Sequence, residues 1–254
     1  MIRFEQVTKH LGGRRVLDRV SFEIAKGETF VIVGLSGAGK SVTLKHMVRL
    51  LVPDGGRVWV GDDCVSEANS RKVEQIRSRF GVLFQGAALM QWMNVHDNVA
   101  LPLREHYKKD DDEIEQLVRE KLALVKLEAA LEKYPSDLSG GMRKRVGLAR
   151  AIVTSPEIIL YDEPTSGLDP VTSRTIDTLI DDMRQEFGVT SVVVTHDLHS
   201  ALAIGTRIAM LHGGEIIENA TPEDFIHSKN EVVQSFLDAQ YITREGDWKK
   251  KDAP

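Results

Sequence analysis

A single cysteine, Cys64, leaves this sequence unable to form an intrachain disulfide or a cysteine-rich zinc site. Aromatic residues are few, at 6%. No run of about 18 apolar residues occurs, which excludes a membrane-spanning helix. The opening MIRFEQVTKH lacks the apolar stretch of a secretory signal, so the chain is expected to stay in the cytoplasm. There is no basic excess either: 33 Lys and Arg against 38 Asp and Glu give a net charge of −5. That balance argues against a dedicated nucleic-acid binder, and no nucleic-acid partner is expected. What is present is an ordinary globular mixture, 42% hydrophobic and 28% charged over 254 residues, enough to bury a sizeable core.

Short strands fill the first part of the chain: IRFEQV, VSFEI, TFVIV and RVWV, separated by Gly12-Gly13, Lys26-Gly27 and Asp54-Gly55-Gly56. A helix from about Ser41 to Leu51 interrupts them, and GVLF (81–84) reads as a further buried strand. From about 95 to 153 the spacing of apolar residues is helical, with Asp97 expected to cap DNVALPLREH and the KKDDDE run forming a solvated loop and helix start. After 155, IILYD, a helix over 170–187, SVVVT, a short helix, RIAML and GEIIE follow. Wholly apolar strands alternating with helices predict an α/β fold with a parallel sheet covered on both faces. The N-terminal strands form an antiparallel β subdomain, and a helical lobe at about 86–154 is inserted in the core. The domain is expected to span 1–240, with EVVQSFLDA docking as a helix and 241–254 a polar tail.

The segment GLSGAGKS (34–41) matches G-x-x-x-x-G-K-[ST] between the strand TFVIV and a helix, which is a P-loop. Its residues Gly34, Leu35, Ser36, Gly37, Ala38 and Gly39 can bring backbone N–H groups to a polyphosphate, as can Val42 just beyond, and the helix N-terminus adds positive potential. Lys40 can reach the β- and γ-phosphates of ATP, and the Ser41 hydroxyl can ligate Mg2+. In EIILYDEP, Asp162 ends a strand where it can hold the magnesium, and Glu163 is placed to polarise an attacking water. LSGGMRKR (138–145) sets Ser139 as the N-cap of a second anion-binding helix terminus.

A P-loop, LSGG about a hundred residues later, DEP, SGLD (166–169) and TH (195–196) together resemble the ABC-type nucleotide-binding domain over about 220 residues. The resemblance implies a P-loop NTPase of that type that hydrolyses ATP with Mg2+. It also implies a head-to-tail dimer with a second copy, in which Ser139 and Gly141 contact the γ-phosphate bound by the partner and Asp169 joins the two sites. By the same resemblance His196 holds the γ-phosphate, and Gln85 touches Mg2+ and the water. One position departs from the family: Leu11 stands where an aromatic ring stacks on adenine.

A narrower resemblance lies in FQGAALMQWMNVHDNVALPLREH (84–106) and LSGGMRKRVGLARAI (138–152), which are similar to the ATPase of MCE-type, Mla-like lipid transporters. Such ATPases often read LFDS where this chain has LMQW. The likeness implies a phospholipid-moving complex of the inner membrane, with this chain peripheral on its cytoplasmic face. Permease chains, an MCE substrate-binding protein and a STAS-domain regulator would be its partners. An ABC ATPase serving another solute is the alternative, and a soluble non-transport ABC ATPase is a further one. Leu89, Met90, Trp92 and Met93 are expected to form an apolar socket for the permease.

Overall fold

Residues 1–107 and 109–242 are described by a computed structural model. The chain begins with β1 (Ile2–Leu11), β2 (Arg14–Ile24), β3 (Thr29–Val33), α1 (Lys40–Met47), β4 (Gly55–Val60), β5 (Asp63–Cys64) and α2 (Ser70–Arg77). Its middle supplies β6 (Phe80–Leu83), α3 (Val95–His106), α4 (Asp111–Leu124), α5 (Gly140–Ile152), β7 (Ile158–Asp162) and α6 (Pro170–Phe187). Then come β8 (Thr190–Thr195), α7 (Leu198–Ile204), β9 (Arg207–His212), β10 (Glu215–Ala220), α8 (Pro222–Ile226) and α9 (Glu231–Asp238). They fall into two compact units, Met1–Arg77 with the chain from Thr190 onward, and Ser78–Val189. Of the polar tail expected at 241–254, the part beyond Ile242 lies outside the described residues.

The first unit holds an antiparallel sheet in the order β2-β1-β4-β5. It also holds β3 lying between β8 and β9, parallel to both, with β10 antiparallel to β9. Every residue of β3 and of β8 is buried, as the apolar runs at their centres predict for strands covered on both faces. Phe4, Phe22 and Phe30 stack in series with ring centroids 4.5 and 5.2 Å apart, tying β1, β2 and β3 into one core. Burying each ring contributes about 1.5–3 kcal/mol. The helix expected from Ser41 to Leu51 ends sooner, at Met47, because Arg49 turns left-handed (φ 52°) and the N–H groups of Leu50 and Leu51 both bond back to the Lys45 carbonyl.

In that helix His46 is only 1% exposed and donates from Nδ1 to the Val42 carbonyl at 2.7 Å. A carbonyl can only accept, so Nδ1 carries the proton, and the buried Nε2 has no hydrogen-bond partner. Burial lowers the pKa of His46, and the Lys9 cation adds to this against the opposing Val42 bond and Asp54 charge. The folded chain therefore binds fewer protons at this ring than the unfolded one. The stability this brings is present above the unfolded value of about 6.5 and lost as pH falls below it. Melting temperature measured from pH 8 to pH 5 is expected to drop on the acid side, and the drop should be smaller in His46→Leu.

In the second unit β6 and β7 pair in parallel with Leu83 opposite Tyr161, and α5 packs on α3, α4, α6 and β6. The strand expected at 81–84 is displaced by one residue. Phe84 lies past its end and is 40% exposed. The cap of α3 also differs from expectation: Asn94, not Asp97, accepts at its side chain from the Asp97 N–H (2.8 Å). Asp97 sits in the first turn and pairs with Arg104 and His96. The acidic run does open α4, with Asp110 accepting from the Glu113 N–H at 2.8 Å. Helix α6 spans the predicted 170–187, between the N-cap Asp169 with Pro170 after it and a left-handed Gly188.

Candidate active site

The P-loop leaves the buried end of β3 and enters α1. Gly34 has φ 155°, and a Cβ there would lie 2.4 Å from the Leu211 carbonyl oxygen, so no other residue fits. Leu35, Ser36 and Gly37 form an exposed crest, while Gly39 caps α1 in a left-handed conformation. Lys40 is 6% exposed and curls back over the loop, donating to the carbonyls of Gly34 (2.8 Å) and Leu35 (3.2 Å). Ser41 and Val42 follow in the first turn, where helical N–H groups have no intrahelical acceptor.

His196 belongs to the same unit. Val33 of β3 lies opposite Thr195 of β8, so the P-loop and His196 leave the carboxyl ends of neighbouring parallel strands. Ligands of open α/β sheets bind at that edge. His196 is exposed, and its backbone is gripped by Gln240, whose Nε2 donates to the His196 carbonyl (2.9 Å) while its Oε1 accepts from the Leu198 N–H (2.8 Å). Gln240 lies at the limit drawn for the domain from sequence, and no pattern in the sequence points to it. Leu11, at the end of β1, is 38% exposed. The neighbouring His10 ring is tied to Asp54, whose carboxyl is held at about 2, chiefly by Lys9.

The second unit carries the carboxylates. Asp162 is the last residue of β7, and Glu163 follows it, 9% exposed and left-handed at φ 50°. The register of β6 with β7 brings Gln85, two residues past Leu83, to the same strand end as Asp162 and Glu163. The Glu163 carbonyl accepts from Lys144 Nζ (2.9 Å) and from the Ser166 N–H (3.3 Å). Lys144, on α5, is itself only 5% exposed. Burial lowers its pKa, against the opposing pull of the Asp162 and Glu163 charges. Lys144 lies on the buried side of α5 with Gly141, Gly147 and Leu148, and no pattern in the sequence points to the carbonyl it meets.

Ser139 caps α5 as predicted, accepting from the Met142 N–H at 3.3 Å, and is exposed. Gly141 is buried, and a Cβ there would lie 2.3 Å from Thr172 Cγ2. Thr172 is held in turn by Asp169, whose Oδ1 accepts the N–H groups of Val171 and Thr172 at 3.0 Å and whose Oδ2 accepts the Thr172 hydroxyl. The Thr172 bonds hold the Asp169 carboxyl below its usual range.

The segment after Gln85 is a built loop. Ala87 and Ala88 are both left-handed (φ 59° and 48°), and Arg150 donates to their carbonyls at 2.6 and 2.7 Å. Buried Asn98 accepts from the Met90 N–H (2.7 Å) and donates to the carbonyls of Met90, Met93 and Asn94. Of the four residues expected in a socket, Leu89 is instead core, at 7% exposure, because the loop folds it inward. Met90 and Met93 are half-buried, and Trp92 is 74% exposed.

The sequence matches the family described as "ABC transporter" over residues 17–166. It is 41% identical to the "Probable ribonucleotide transport ATP-binding protein mkl" of Mycobacterium bovis over 251 residues, 99% of this chain and 70% of that one. It is 38% identical to the "Methionine import ATP-binding protein MetN" of Clostridium tetani over 247 residues, 97% of this chain and 77% of that one. Among solved structures, a dimeric ATP-binding cassette in a post-hydrolysis state bound to ADP and Pi matches with a TM-score of 0.81 at 33% identity. That match covers 87% of this chain and 99% of the other.

Proposed function

We propose, from the premise that this chain belongs to the ABC transporter family as one of its magnesium-dependent ATPases, that it powers an inner-membrane complex moving phospholipids between membranes. As such an ATPase it binds ATP with Mg2+ and couples hydrolysis to ADP and phosphate to transport. The lipid reading rests on one observation, the likeness of segments 84–106 and 138–152 to the ATPases of MCE-type transporters.

In this reading the P-loop N–H groups and Lys40 hold the β- and γ-phosphates, with His196 beside them on the γ-phosphate. By the family resemblance the Ser41 hydroxyl, the Asp162 carboxylate and the Gln85 side-chain oxygen would hold magnesium, and each is an oxygen donor of the kind that ion takes. When bound, the ion would supply charge neutralisation to the phosphates. The Glu163 carboxylate takes a proton from the attacking water as the water oxygen bonds to the γ-phosphorus and the bond to the β–γ bridging oxygen breaks. Ser139 and Gly141 of a second copy close over the γ-phosphate at the N-terminus of α5, and Asp169 lies at the junction. A residue that orients or deprotonates the nucleophile and magnesium on the phosphates are recurring parts of phosphoryl transfer.

Among the described residues no helix is long and apolar enough to cross a membrane. In this reading permease chains supply the membrane part, with an MCE-domain lipid carrier and a STAS-domain regulator as further partners. Trp92, held out by the loop that Arg150 and Asn98 fix, supplies a contact for a permease. Trp92→Ala is expected to leave the melting temperature of the isolated chain unchanged, because the ring is exposed. Pull-down of the permease should weaken by about 2 kcal/mol or more if the ring is a hot spot. A lowered melting temperature, or an unchanged pull-down, would contradict this.

A second reading, transport of another solute, is supported by the similarity to proteins named for methionine import and ribonucleotide transport. Purifying the chain with its native membrane partners and identifying the bound molecule by mass spectrometry separates the two. Phospholipid held by the complex supports the first reading, and methionine or a nucleotide in its place overturns it.

A further inference from the structure

We infer that Lys144 is a positioning residue for hydrolysis, gripping the backbone of Glu163 so that its carboxylate is aimed at the attacking water; this rests on the reading of Glu163 as the base. A lysine at 5% exposure needs a reason, since burying an ammonium is costly unless it is paired. Its Nζ reaches the Glu163 carbonyl at 2.9 Å. Glu163 is a non-glycine residue held at φ 50°, a conformation that persists only where the surroundings impose it. The following residue is Pro164, so the peptide between them has no N–H, and its carbonyl is the one polar handle it offers. Lys144 and the Ser166 N–H take that handle together, which fixes the peptide plane next to the carboxylate-bearing Cα. Lys144 is also carried by the helix that Ser139 caps. A nucleotide seated at the N-terminus of α5 and the base at Glu163 are thereby linked through one rigid element and one ammonium.

The test uses the full chain with MgATP and compares Lys144→Met, Lys144→Arg, Glu163→Gln and the double variant Lys144→Met/Glu163→Gln. Lys144→Met, similar in length and without a donor, is expected to lower kcat by roughly 10- to 100-fold, the scale of a misplaced catalytic group, with KM for ATP unchanged. Lys144→Arg, which keeps a cationic donor, should recover most of the rate. In the Glu163→Gln background Lys144→Met should cost little more, because the group it positions is already gone. Hydrogen exchange should quicken at the Ser166 amide, which bonds the same carbonyl, and stay unchanged at the Val192 and Val193 amides of β8. If Lys144→Met melts too low to assay, Lys144→Gln takes its place, with a shorter stem that cannot reach the carbonyl in the same way. A lowered kcat at unchanged KM is then the expected result. Equal losses in both backgrounds, an unchanged kcat, or unchanged exchange at Ser166 would overturn the role of Lys144. Near-normal turnover in Glu163→Gln alone would instead overturn the reading of Glu163, a separate and recognisable failure.

Discussion

Glu163→Gln is expected to bind MgATP as the parent does and to hydrolyse it roughly 10²–10⁴ times more slowly, the usual span for losing a general base. Glutamine matches glutamate in shape, so the left-handed backbone at this position and its carbonyl bond to Lys144 are retained, and only the proton acceptor is lost. Lys40→Ala should fail at an earlier step. In the proposed site its ammonium is the main counter-charge to the β- and γ-phosphates, and it also ties the carbonyls of Gly34 and Leu35 into the loop. Removing it takes away both the charge and a brace of the cradle, so nucleotide binding should be lost. Equilibrium binding of a fluorescent ATP analogue alongside phosphate release separates the two variants. Rapid turnover by Glu163→Gln, or tight binding by Lys40→Ala, would contradict these roles.

The second large effect concerns complementation between chains. Gly141 is a poor probe of a site completed by a partner, because any side chain there meets Thr172 of its own unit. Gly140 is better suited: a Cβ would come no closer than 3.4 Å to Leu168 Cδ2, and an acidic residue in the first turn suits the helix dipole. Gly140→Asp should therefore fold normally yet repel the γ-phosphate presented by the partner. Gly140→Asp alone and Lys40→Ala alone should both be nearly inactive. Mixing them creates dimers in which an intact P-loop from one chain meets an intact α5 terminus from the other. Activity should reappear on mixing. Mixtures no more active than either parent would contradict closure in trans.

The parts of this molecule that were legible in the sequence are those whose physics is local. TFVIV and SVVVT read as doubly covered strands because each carries an unalternated apolar run at its centre, and both are buried throughout. Asp169-Pro170 and Gly188 bound α6 through capping chemistry that neighbouring residues carry themselves. The P-loop is legible for the same reason, since its glycines specify backbone shapes directly. Competition between near-equal local signals caused the misplaced cap at Asp97, where Asn94 won, and the late end predicted for α1, which the bonds of Leu50 and Leu51 back to Lys45 cut short. Lys144, Arg150 and Gln240 were not legible because each acts through a backbone carbonyl 19, 62–63 and 44 residues distant, respectively. Carbonyls are chemically identical along the chain, so only the fold says which one a side chain meets. Leu89 and Trp92, three residues apart in one apolar stretch, were separated into core and surface by the loop that Arg150 and Asn98 shape.

The claim at the centre of this account is that one chain cannot complete the site alone. Sedimentation of Glu163→Gln with and without MgATP tests it most directly, because this variant holds the nucleotide without consuming it. The account predicts monomers in the absence of nucleotide and dimers in the presence of MgATP, with two nucleotides retained per dimer. A chain that binds MgATP and remains a monomer at every protein concentration would contradict it.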